Sequence, residues 1–347
     1  MSINVEAGVQ GTVEPGFEPV REVLAAQLSD GRHLGAGVAV YHRGRLVADL
    51  WGGVADSSTG RAWERDTMAV CYSTTKGLAA TCAHVLAGRE LIDYEAPVAS
   101  YWPEFAQNGK AAITVRQLLS HQAGIPQIPG GMSTRDALDW DKMIRGIEQL
   151  EPLWEPGTGS GYHALTFGYL AGELVRRVDG RSVGTFLREE VCGPLGLTDM
   201  HIGAPASVEG RIARLESRMQ LTPEMEQARA QFMSGSSFIA RAMMFPGGGD
   251  LNELLNSPEG HAAEIPAVSG IMTARDLARM YACLANYGEL DGVRLLPEAT
   301  VRQASEQQTH APDKVIVFTI GWALGYMTGG VAVYHRGRLV ADLWGGV

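Results

Sequence analysis

Cys71-Tyr72-Ser73-Thr74-Thr75-Lys76-Gly77-Leu78-Ala79-Ala80-Thr81-Cys82-Ala83-His84-Val85-Leu86 is the stretch on which the reading of the chain turns. From Ser73 onward the apolar positions Leu78, Ala79, Cys82, Ala83, Val85 and Leu86 cover most of a helical circumference. Such a helix is buried on nearly all sides, and Gly88 is expected to stop it. Ser73 and Lys76 lie one turn apart at its head and face the same way. A serine hydroxyl alone is a poor nucleophile. An amine whose pKa falls through burial and nearby positive charge can take its proton, and a helix N-terminus stabilises the negative charge that develops. The plain structural alternative makes Ser73 an N-cap and Lys76 a solvated first-turn residue. A lysine at the head of an otherwise apolar helix argues against it, because burying an ammonium is costly. The match is also uncommon within the chain: Gln107, Asp139 and Ala311 stand three positions before Lys110, Lys142 and Lys314.

The chain has 347 residues, enough for two domains or one large one. With 45% hydrophobic and 20% charged residues it reads as globular, neither disordered nor fibrous. Its 29 Lys plus Arg against 39 Asp plus Glu leave a formal charge of -10, which repels phosphate backbones and anionic lipid. Nucleic-acid and membrane partners are therefore not expected. Residues 1–19 lack the basic start and apolar run of a secretory signal, and every apolar stretch is interrupted before the roughly 18 residues that a membrane span needs. Cys71, Cys82, Cys192 and Cys283 are scattered without a CxxC pair, so neither a disulfide framework nor a zinc site is indicated. A soluble, cytoplasmic protein is the expectation.

Residues 37–54, GVAVYHRGRLVADLWGGV, place apolar strands on either side of a polar His42-Arg43-Gly44-Arg45 turn, a β-hairpin signal. Further helices are expected at 115–120, 136–150, 166–178 with Gly180 as stop, and 275–287 with Gly288 as stop. Residues 204–266 are Met-rich and broken by Pro246-Gly247-Gly248-Gly249. They fit a mobile cover over a pocket, since Met adapts to varied apolar ligands; a plain surface excursion fits equally well. Residues 330–347 repeat 37–54 letter for letter. Repeat arrays drift in sequence and recur more than twice, so this is no solenoid. Two identical hairpins can compete for one slot in a sheet, which invites strand exchange between subunits and homo-oligomers.

Four landmarks follow one another along the chain: Ser73-Thr74-Thr75-Lys76, residues 118–124 (LLSHQAG), residues 161–169 (GYHALTFGY) and residues 269–277 (SGIMTARDL). Together they resemble the serine β-lactamase-like hydrolases over about residues 37–325, with closest likeness to family VIII carboxylesterases and class C β-lactamase-related proteins. The resemblance implies that Ser73 is acylated, that Lys76 assists, and that Tyr162, at the position of a Tyr-x-Asn motif, acts as general base. A phenol near a cationic Lys76 is expected to have a lowered pKa and to relay protons. Two departures stand out. Ala164 replaces the Asn that holds the substrate amide in β-lactamases, which favours esters over lactams. No Lys-Thr-Gly or Lys-Ser-Gly occurs, although the family places such a motif, or a His-x-Gly or Trp-x-Gly variant, on a strand that supplies an oxyanion-hole N–H. His335-Arg336-Gly337 and Trp344-Gly345-Gly346 match the variants, but the first hairpin contains the same tripeptides. Loss of that donor costs about 10² to 10³ in turnover.

The expected fold class is α/β, of the α+β kind. An antiparallel sheet with flanking helices is drawn from both chain ends (1–80 and 266–347), and a mainly helical domain (81–265) carries a lid-like segment at 204–265. The expected function is cleavage of small acyl esters through an acyl-enzyme on Ser73, with Lys76 and Tyr162 as the other catalytic residues. The rivals are a β-lactam or D-alanyl peptide hydrolase and a non-catalytic assembly protein. No cofactor or metal is expected. Gly157–Gly161 lacks the Gly-Lys-Ser/Thr of a phosphate loop, and neither Gly-x-Ser-x-Gly nor His-Glu-x-x-His occurs. His121 reads as a hydrogen-bonding brace rather than a ligand.

Overall fold

A computed structural model describes residues 8–216, 222–232, 237–335 and 338–345. Its first sheet has the order β1 (Gln10–Val13), β3 (Arg45–Asp56), β2 (Gly35–His42), all antiparallel. The polar turn of the hairpin is where the sequence places it. Arg43 and Gly44 take φ of 51 and 77, the paired left-handed geometry that matches strand twist in a two-residue turn. Helix α1 (Glu18–Ser29) covers one face, with Leu24 and Leu28 packed on Ala48 and Leu50.

A 3₁₀ turn at Tyr72–Thr74 leads into α2 (Thr75–Gly88), whose residues from Thr75 to Leu86 are all buried. Gly88 does not stop this helix. It belongs to the last turn, where a Cβ would lie 2.7 Å from Pro297 Cδ, and Glu90 takes the left-handed conformation at φ 61. Close packing, rather than chain termination, explains that glycine. Helix α3 (Thr166–Asp179) ends at left-handed Gly180 as expected. The single helix expected over 136–150 is split into a 3₁₀ turn, Thr134–Leu138, and a helix, Trp140–Glu148. Asp139 restarts it by accepting the N–H of Lys142 at 2.9 Å, so a local cap outcompetes continuation. Later come α4 (Phe238–Met243) and α5 (Ala274–Ala285), the latter capped by Thr273.

The second four-stranded sheet has the order β4 (Thr309–Pro312), β5 (Thr319–Trp322), β6 (Met327–His335), β7 (Arg338–Gly345). The mixed helix and antiparallel-sheet class is as expected. One detail differs: among the described residues the two hairpins lie in separate four-stranded sheets, and the chain ends are joined by a small ladder in which Ala69–Val70 pairs with Ile271–Met272. The copied hairpin closes on its own short turn, which costs far less loop entropy than returning to β2. Near the turn its pairing reproduces the first copy, but a further register shift between Thr328 and Ala332 sets Trp344 opposite Thr328, whereas Trp51 faces Gly37. Tyr334↔Leu339 and Val333↔Ala341 match Tyr41↔Leu46 and Val40↔Ala48, with the same register shift between the two pairs.

Candidate active site

Three short strands set the nucleophile in place. Ala69–Val70 and Met200–His201 flank Ile271–Met272, and the Cys71 N–H reaches the Gly270 carbonyl at 2.8 Å. The Gly270 N–H in turn donates to Thr75 Oγ1 at 2.8 Å. The chain is thus pinned on both sides of Ser73. Tyr72 carries φ 42, a left-handed geometry that costs a β-carbon residue about 1–2 kcal/mol. Its hydroxyl donates to Asn252 Oδ1 at 2.8 Å, which ties the residue before the nucleophile to segment 204–265.

Ser73, Lys76 and Tyr162 come together. Ser73 Oγ accepts from Lys76 Nζ at 3.1 Å and from Tyr162 Oη at 2.6 Å. Lys76 Nζ also donates to the Ala267 carbonyl at 3.1 Å and sits 4.9 Å from the centre of the Tyr162 ring. The plain structural reading of this pair fails, because Lys76 is 0% exposed and the N-cap position of α2 is taken by Thr74, with no side-chain cap bond, rather than by Ser73. Burial pushes the Lys76 amine well below its ordinary range, so the neutral amine is favoured. The Tyr162 phenol departs from expectation. It is pushed up to about 12, mainly by burial, against the opposing Ser73 hydrogen bond, with the negative charge of Asp313 adding a smaller upward push. Burial disfavours the Lys76 ammonium that would lower it.

The loop of Tyr162 is held by residues that the sequence reading passed over. Asp313 Oδ1 accepts the N–H groups of Tyr162, Val315 and Ile316 at 3.0, 2.9 and 3.0 Å, and Oδ2 accepts Trp322 Nε1 at 3.1 Å. The Trp322 ring stacks on Tyr162 with centroids 5.6 Å apart and planes 5° from parallel. Their only trace in the sequence is one acid just before the apolar run that ends in Trp322. Ala267 was invisible, since a backbone carbonyl has no sequence signature.

His121 is a brace in the geometry as well. Its Nδ1 accepts the His163 N–H at 3.1 Å, and its ring lies 4.3 Å from Trp322 and 5.3 Å from Tyr162. Burial, followed by the neighbouring His163 and Lys76, pushes it well below the usual imidazole range. Ala164 is buried with Tyr162, Ile239 and Ala242 in one apolar cluster. Trp322 pairs with Met327 where β5 meets β6, and beyond that point the copied hairpin pairs with itself. Among the described residues no group of three His, Cys, Asp or Glu side chains is placed to hold a metal.

The sequence matches the family model described as Beta-lactamase over residues 20–347. The esterase/beta-lactamase LipL of Mycobacterium tuberculosis is 38% identical over 330 residues, spanning 92% of this chain and 74% of that protein. The crystal structure of a family VIII carboxylesterase superposes with TM-score 0.85 at 38% identity, covering 97% of this chain and 87% of the other. A penicillin-binding protein homologue from Caulobacter crescentus gives 0.84 at 36% identity, with 97% and 87% covered. By sequence and by fold, this chain belongs to the β-lactamase family of hydrolases.

Proposed function

We propose that the protein is a carboxylesterase that forms an acyl-enzyme on Ser73 and releases it to water. One observation carries the reading: Ser73 Oγ lies between a buried amine at 3.1 Å and a buried phenol at 2.6 Å. A neutral Lys76 that gives one N–H to Ala267 keeps a lone pair for the Ser73 proton. The serine oxygen attacks the ester carbonyl, and the proton passes to Lys76. Tyr162, still protonated, gives its proton to the departing alcohol and is resupplied from Lys76; water then repeats the sequence in reverse. Positioned acid–base help of this kind is worth about 10² to 10⁴ in rate.

Small acyl esters are the proposed substrates, in line with the esterases among its relatives. Ala164 and the missing Lys-Thr-Gly disfavour lactams. The division into a sheet part (1–80 and 266–347) and a helical part (81–265) belongs to this proposal, with 204–265 as cover. The Tyr72–Asn252 bond supports it. Among the described residues no helix is long and apolar enough to cross a membrane, and four free thiols, three of them buried, support a reducing compartment such as the cytoplasm. The test is incubation with p-nitrophenyl butyrate and a fluorophosphonate probe, with the labelled peptide read by mass spectrometry. Labelling at Ser73 is expected; a folded protein that stays unlabelled there overturns the reading. Nitrocefin turnover faster than ester turnover favours the lactamase rival instead.

A further inference from the structure

Asp313 is a buried acid beside the site that the acyl transfer itself does not use. Asp313 is 2% exposed, and all four of its partners are N–H donors, the set that an ionised carboxylate takes. No lysine or arginine pairs with it among the described residues. A buried anion without a counter-ion is kept only where hydrogen bonds offset its desolvation. Two of the four donors serve Tyr162: its own peptide N–H, and the indole of Trp322 that stacks on its ring.

We propose that Asp313 is a positioning residue of the acyl-transfer site, which clamps both the peptide and the stacked indole of Tyr162 and, through its charge, keeps that phenol a proton donor toward Ser73. The proposal rests on the reading of Tyr162 as the proton carrier. The other titratable groups around the phenol are Lys76 on α2, His121 in its loop, and the adjacent His163. Burial favours the neutral form of each, with His163 pushed down to about 4. Lys314, next in sequence to Asp313, places its ammonium over the Trp154 ring at 6.0 Å. Asp313 is therefore the charge that bears on the phenol, and a negative charge opposes phenolate. The expected division of labour follows: Lys76 accepts the Ser73 proton, and Tyr162 gives one.

The test uses Asp313→Asn in the full chain. Asn keeps the size and an oxygen for the three backbone N–H groups, but loses the charge and the acceptor for Trp322. Tyr162 is isolated from the ten tyrosines by subtracting the matched Tyr162→Phe variant. Tyrosinate absorbance is read by stopped flow after a jump to pH 11, before unfolding. Asp313→Asn should move the Tyr162 ionisation down by about one pH unit, as expected for losing a charge several ångströms away in a partly buried setting. It should also lower kcat on p-nitrophenyl butyrate about tenfold with KM within about twofold. An unmoved Tyr162 ionisation in a folded variant overturns the role of the charge. Trp322→Phe keeps charge and ring but loses the N–H, and serves if Asp313→Asn fails to fold. It should lower kcat several-fold with the Tyr162 ionisation unchanged, and an unchanged kcat overturns the clamp. The absorbance arm needs no turnover, so an inactive wild type, which would sink the esterase reading, remains distinguishable from a failure of this one.

Discussion

Lys76 holds the sharpest conflict between stability and chemistry. Its amine is 0% exposed and pushed far below its ordinary range by burial. Such a group binds a proton in the unfolded chain but not in the folded one, so it lowers stability as pH falls below about 10.4, the unfolded value, until the folded pKa is reached. Lys76→Met should therefore raise Tm at pH 7 by about 2 °C or more, read by calorimetry, with the freed Ala267 carbonyl as the opposing cost. The same variant should lower fluorophosphonate labelling at least about 10²-fold. The rate of the wild type should rise with pH as Lys76 loses its proton. It should then stay flat through pH 10, because the Tyr162 phenol ionises only near 12. A kcat/KM profile over pH 5–10 checks the sign: a fall above pH 8 contradicts it. Ser73 and Lys76 were legible as a pair because three-residue spacing on a buried helix is a local signal. The direction of the Tyr162 shift was not, since it depends on how deeply a distant loop is buried.

At the scale of elements, α3 positions the site through a close contact. Gly168 lies against Pro266 and Ala267, where a Cβ would collide with the Ala267 backbone nitrogen. Gly168→Ala must push the 266–267 segment away and carry the carbonyl that holds Lys76 Nζ with it. A stability loss of about 1–3 kcal/mol is expected by denaturant melt, with slower labelling of Ser73; a neutral outcome in both would contradict the contact. Helices with an apolar face and a local end signal, the Gly180 stop of α3 and the Thr273 cap of α5, could be located from the sequence because caps and periodicity are local. The break at Asp139 and the run of α2 through Gly88 were missed for one reason. A cap competing with a helix, and a glycine kept for packing, look alike until the neighbours are known.

For the whole molecule, each copy of the repeated hairpin leaves one strand at an open sheet edge among the described residues. β2 pairs only with β3, and β7 only with β6. Unpaired edges are templates for other chains, and here each belongs to one of two identical hairpins. Concentration-dependent dimers are expected by light scattering, and deletion of residues 330–347 should abolish them; unchanged mass in both forms removes the idea. That deletion should leave Ser73 labelling unaltered, because Ser73, Lys76, Tyr162 and Ala267, and Asp313 and Trp322 that hold Tyr162, all lie before residue 330.

The two hairpins separate what a string of residues can encode from what it cannot. Next to the turn the identical residues give the same pairing and the same register shift in both places, since turn geometry and alternation act over a few neighbours. Farther out the second copy shifts again, and Trp344 faces Thr328 where Trp51 faces Gly37. Yet one copy lies under α1 in the first sheet and the other extends the second. That choice depends on which strand edges lie within reach after folding. The same holds at the active site. The residue types and the pairing of Ser73 with Lys76 were written in the chain. The downward push on the Lys76 amine, the upward push on the Tyr162 phenol and the clamp of Asp313 arose only when separate segments met and excluded water, because desolvation is a property of the assembled interior.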